Sequence, residues 1–224
     1  MTSSASTPTD HRRRLAGDSG AALLEAAVIG PVFIVVVLSI LEYGLVYRDY
    51  LTASDAVADA ARTGAVQGND LTTAAQTADY SIVRAMRESL ASLDYNTVER
   101  IVVFKAAGPD SGSPVAQTPA ACKTGAASDP TSDCNLYFTA PAFGAIQYGD
   151  DEYFECRPSF GDIVACGWDP VDRNNGTEAP NLGNPDYLGV YVRIDHKMIS
   201  GIFGNSFTIE DASIFRIEQG RLAA

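Results

Sequence analysis

From Ala21 to Leu41 the chain runs 21 residues with a single charged side chain, Glu25, and three arginines, Arg12, Arg13 and Arg14, stand before it. A helix over this run would be about 31 Å long, the thickness of a bilayer's hydrocarbon layer. The basic flank predicts an N-terminus held in the cytoplasm and a C-terminal head outside the cytoplasmic membrane. Beyond the run, "LEYGLVYRDY" supplies the tyrosines and charges expected where a helix emerges into water. We therefore read residues 1–20 as a basic cytoplasmic leader and 21–47 as a single transmembrane helix.

A cleaved secretory signal would have a shorter apolar region and a small-x-small cutting site, which this run lacks. An ordinary anchor leaves Glu25 unexplained, because a carboxylate in the apolar layer costs about 2.5 kcal/mol or more unless it is paired or reaches the interface. Snorkelling to the interface is the plain alternative. Pro31 removes one helical hydrogen bond, so a kink or local unwinding is expected over residues 27–31. A proline simply tolerated in a transmembrane helix is the competing reading.

Gly20 is followed by four apolar residues and Glu25. A cut after Gly20 would thus leave a new amine on Ala21 and a carboxylate at the fifth position. That pattern resembles the type IV prepilins. Residues 20–65, with Gly20, Glu25, Pro31, the "LEYGLVY" exit and the Ala-rich "AVADAARTGA", resemble more specifically the TadE-like family of tight-adherence (Flp) pilus assembly. The resemblance implies processing between Gly20 and Ala21 by a prepilin peptidase. It also implies assembly through Glu25 and Pro31, with other minor and major pilins and an inner-membrane pilus assembly platform as partners. In such an assembly Glu25 would pair with the Ala21 amine of a neighbouring subunit and set axial register.

After the membrane the helix is expected to continue, since Ala53, Ala56, Val57, Ala60, Ala61 and Ala65 recur at helical spacing, until Gly64 and Gly68 end it. A second helix is predicted over 70–93 from the stripe Leu71, Ala75, Ala78, Ile82, Met86, Leu90 and Leu93. "VERIVVFKA", residues 98–106, reads as a strand buried on both faces. "YLGVYVRIDHK" alternates cleanly and reads as a half-buried strand. "SFTIEDASIFRIE" reads as its hairpin partner, with Asp211 and Ser213 marking a bulge. Residues 48–106 thus hold the exported helices and first strand, and 187–224 the closing strands.

Between them, 107–186 reads as a long Gly/Pro-rich loop insert carrying all four cysteines, Cys122, Cys134, Cys156 and Cys166. Their spacing does not match zinc pairs, and on an exported domain disulfides are the natural use. Three connectivities exist, of which the local pairs Cys122–Cys134 and Cys156–Cys166 close the shortest loops. The aromatics Tyr137, Phe138, Phe143, Tyr148, Tyr153, Phe154, Phe160 and Trp168 are expected to form a satellite core beneath the insert. A partner-binding surface is the alternative. The acidic run "GDDEYFECR" lacks the order of a calcium loop.

A net charge of −12 argues against nucleic acid as a partner. No nucleophile elbow, zinc-protease helix or phosphate loop occurs, so no catalytic residue, metal or other cofactor is assigned and no enzyme is expected. The expected fold is α+β: a long transmembrane helix continuing into a pilin-like head with a second helix and a small antiparallel sheet, plus the disulfide-bonded insert. The expected role is a minor pilin or pseudopilin, touching membrane lipid and entering the pilus. An uncleaved membrane-anchored assembly factor and a surface adhesion module remain as alternatives.

Overall fold

Small side chains set the first layer of the head. In a computed structural model, which describes residues 11–67, 78–94, 97–124, 133–149, 152–154, 164–177 and 183–218, helix α1 covers His11–Gln67. The chain divides into two units, residues 1–45 and 46–224. In the first unit α1 is exposed nearly all round: Leu23, Leu24, Val28, Ile29, Val32, Phe33, Ile40 and Leu41 are each at least 60% exposed. A helix in water buries an apolar stripe, so one that leaves such residues bare on every side is built for lipid or for like helices. It is a helix of single-pass anchor type. Residues 27–31 remain helical, so the local unwinding expected at Pro31 is not seen.

In the second unit α1 continues through Ala53, Ala56, Val57, Ala60, Ala61 and Ala65, all buried. Gly64 does not end the helix, which runs on to Gln67. A Cβ there would lie 2.7 Å from Ile82 Cδ1 and 3.0 Å from Leu188 Cδ2, so the glycine serves close approach rather than termination. Helix α2, Ala78–Ser89, followed by a 3₁₀ turn over Leu90–Ser92, presents Ile82, Val83, Met86 and Leu90 to the same core. The earlier part of the predicted 70–93 helix falls largely outside the described residues.

Among the described residues five strands form one antiparallel sheet in the order β3-β2-β1-β4-β5: β1 Val98–Ala106, β2 Cys134–Phe138, β3 Val164–Cys166, β4 Tyr187–Lys197 and β5 Ser206–Arg216. Ile101, Val103, Leu188, Val190, Val192 and Ile194 face the helices. Val102, Phe104, Leu136, Tyr191 and Ala212 face a second, smaller core. That opposite face is roofed by two short helices, α3 Pro114–Gln117 and α4 Ala120–Thr124, through Val115 and Cys122. Gln117 holds the strap that carries them, accepting from Ala107 N at 3.0 Å and donating to the Gly108 and Gly112 carbonyls at 2.8 and 3.0 Å.

Three expectations are corrected. Strand β4 is not half-buried, because Gly189 and Tyr191 are buried on the face read as solvent. The β4–β5 register runs unbroken from Tyr187↔Arg216 to Lys197↔Ser206, so no bulge marks Asp211 and Ser213; the irregularity lies in β1 between Val98 and Arg100. The span 107–186 is more than loop, since it supplies β2, β3, the roof and helix α5, Thr139–Tyr148. Cys122 and Cys134 are bonded, Cα atoms 6.8 Å apart, tying α4 to β2. Cys156 and Phe160, and most of the acidic run around residue 151, lie outside the described residues.

Among the described residues the aromatics form no separate satellite. Tyr137, Phe143, Phe154 and Trp168 are buried in the main core, whereas Phe138 and Tyr148 are exposed. Phe154 stacks edge-on against Tyr80 and Tyr153 at 5.5 and 5.0 Å, which fastens the insert to α2.

Candidate functional site

Two places concentrate chemistry, one in each unit. The first is the start of the apolar helix. Gly20, Ala21 and Glu25 lie on one exposed helical stretch. At about 100° per residue Glu25 stands one turn beyond Ala21 on nearly the same face, roughly 6 Å along the axis. Its carboxylate is the only charge on the bare apolar surface. Gly20, Gly30 and Gly44 have open space where a Cβ would be, leaving small notches at which another helix can approach closely. Ser39 bonds back to the Val35 carbonyl at 2.6 Å, satisfying its hydroxyl within the helix.

The second place is deep in the head, and the sequence reading missed it. Asp79, one residue after Ala78 in the apolar stripe of α2, is fully buried beside the fully buried Arg173 of the insert, with Oδ1 2.6 Å from Nη2. That contact is an ion pair out of hydrogen-bond alignment. Asp79 Oδ2 accepts from Tyr137 OH at 2.6 Å and Asn135 Nδ2 at 2.7 Å. Asn135 also donates to the Trp168 carbonyl at 2.8 Å and accepts from Trp168 N at 2.9 Å. The Arg173 guanidinium lies 4.7 Å from the Trp168 ring centroid. The only available signal was a carboxylate within an apolar stripe, and its partners are 56 to 94 residues away in sequence.

This cluster is shut away from solvent, so it is a clamp and offers no substrate an entrance. Burial above all, then the Asp79 charge and the hydrogen bond to it, raises the Tyr137 hydroxyl well above the usual tyrosine range. The phenol therefore stays protonated and donates. Burial raises Tyr153 and Tyr191 as well. A folded value above the unfolded one means stabilisation that is complete below about pH 10 and lost as pH climbs toward the folded value. The melting temperature is expected to hold to about pH 9.5 and then fall with a slope that Tyr137→Phe makes shallower. A pH series of thermal melts checks this, and equal alkaline slopes for both proteins would refute it.

His196 sits on β4 with Nδ1 2.6 Å from Asp49 Oδ2 of α1. Arg48 donates to the Ser92 carbonyl at 3.1 Å. These contacts fix the end of the head at which the chain enters. Among the described residues no group of His, Cys, Asp and Glu could hold a metal ion. Asn175, in a sequon pattern, accepts from Thr177 N and Oγ1 at 3.0 and 2.6 Å and is only 9% exposed.

No curated protein and no solved structure gives a match. Residues 20–62, which hold Gly20, Glu25, Pro31 and the small-residue face of α1 up to Ala61, match the family described as TadE-like protein.

Proposed function

We propose that the protein is a minor pilin or pseudopilin of a tight-adherence (Flp, type IV) pilus, a structural component needed for assembly and not an enzyme. The TadE-like segment supports a Tad-pilus-associated protein. The observation that carries the finer reading is Glu25, one helical turn past the Gly20–Ala21 bond on an otherwise bare apolar helix. A lone carboxylate in lipid is costly, and a counter-charge created by cutting after Gly20 would compensate it only when helices bundle. In this reading a prepilin peptidase cuts at Gly20, the Arg12–Arg14 flank stays in the cytoplasm, and the head is outside the cytoplasmic membrane. Other pilins and the inner-membrane platform are then its partners.

An uncleaved, membrane-anchored assembly factor is the second reading. It is favoured by Ala26, which stands after Glu25 where prepilins of this kind usually carry an aromatic. N-terminal sequencing of the protein from membranes and from sheared pili separates the two. Chains beginning at Ala21 in the pilus fraction are the expected result. An uncut leader together with absence from pili would establish the anchored factor instead.

A further inference from the structure

The β4–β5 connection is unlike an ordinary surface turn. From Met198 to Ile209 there is no charged residue, in a chain where such residues make up 20%. Ile199 is 77% exposed, Ile202 48%, Phe203 44% and Phe207 47%. The loop is closed by Met198 N donating to the Asn205 carbonyl at 3.0 Å. It turns at Gly201 and Gly204, with φ of +65° and +115°, a backbone path that leaves the side chains between them facing outward. Apolar clusters of this kind on a water-facing tip signal a partner.

The identity of the partner follows from where the tip lies. Leu188 packs where a Gly64 Cβ would be, Glu218 N donates to the Ala65 carbonyl at 2.9 Å, and His196 meets Asp49. Strand β4 therefore runs antiparallel to the head portion of α1. The lengths agree, about 26 Å of strand beside about 22 Å of helix. Past this last contact β4 runs on to Lys197 and the loop lies beyond it, whereas Val46, the first residue of the head unit, lies only about 4.5 Å before Asp49 along the helix. The tip thus overhangs the end at which the chain enters the head. Only residues 42–45 separate that end from the apolar run, a tether of about 18 Å at full stretch.

We propose that the Met198–Ile209 hairpin tip is a second membrane contact, its Ile199, Ile202 and Phe207 side chains seated in the headgroup and upper acyl region of the bilayer that the apolar helix spans. Lys197, exposed at the base of the tip, is placed to leave its ammonium at headgroup level. The proposal rests on the membrane-anchor reading of the N-terminal helix and is independent of leader cleavage.

The full chain, reconstituted into phosphatidylcholine vesicles with brominated acyl chains, tests it through tryptophan quenching. Trp168 is buried and gives the background. Ile202→Trp is expected to lose emission beyond wild type, more with bromines near the carboxyl end of the chains than near the methyl end. Asp110→Trp, exposed at the opposite end of the sheet, is expected to stay at the wild-type level. Ile199→Trp gives a second reading of the same tip should Ile202→Trp misfold. Chains that float with the vesicles yet show no extra quenching would overturn the proposal while leaving the anchor intact. Failure to float would overturn the anchor and this inference together. A blue-shifted, unquenched tip whose emission depends on the protein-to-lipid ratio would assign the tip to a second copy and equally overturn it.

Discussion

Arg173→Met is expected to destabilise the head by about 3–5 kcal/mol, because it leaves the Asp79 carboxylate buried without its counter-charge. For a unit of this size that corresponds to a fall in melting temperature of about 6–20 °C. The change is readable in detergent through Trp168, over whose ring the guanidinium lies. The double variant Asp79→Asn/Arg173→Met is expected to recover most of the loss. The amide introduced by Asp79→Asn would keep one carbonyl oxygen for Tyr137 and Asn135 while removing the charge that needed Arg173. A single variant costing under about 1 kcal/mol, or a double variant costing the sum of both singles, would show that the pair is not the clamp described.

The same clamp shows what a sequence of this kind conceals. The apolar run, the small-residue face of α1, the stripe of α2 and the alternation of β4 are local patterns, and each led to an element that the structure contains. Strands β2 and β3 have five and three residues. Those lengths carry too little periodicity to separate a strand from the Gly/Pro-rich chain around them. Their place in the sheet is set by cross-strand pairing, Val102↔Leu136 and Asn135↔Cys166 among others, which no local pattern encodes.

Tertiary contacts also reversed the meaning of particular residues. Gly64 looks like a helix stop until Ile82 is found against it. At Gly189 of β4 a Cβ would overlap the Phe104 ring, so the glycine admits the second core. On the functional side, the Gly20-to-Glu25 spacing was legible because covalent chemistry fixes it. The overhanging hairpin was not, because its meaning depends on Asp49 and His196 meeting across 147 residues.

At the other end of the chain, Glu25→Ala is expected to leave the amount of protein in the membrane unchanged or higher, since it removes a side chain costing about 2.5 kcal/mol or more in lipid. Its presence in pili is expected to fall about a hundredfold. Losing one partner of a buried pair costs about 3 kcal/mol or more, and each 1.4 kcal/mol is roughly tenfold in association. Glu25→Gln separates charge from shape. The amide keeps the length and a hydrogen-bond acceptor, so a carboxylate that only snorkels would tolerate it, whereas a partner of the Ala21 ammonium would not. The measured quantity is the ratio of pilus to membrane protein for wild type, Ala and Gln variants, with processing at Gly20 followed in each. Low ratios for both variants, with cleavage intact, are the result expected of an acid that sets register between helices. A wild-type ratio for Glu25→Gln would return Glu25 to the role of a polar residue near the interface and remove the electrostatic basis of the pilin reading.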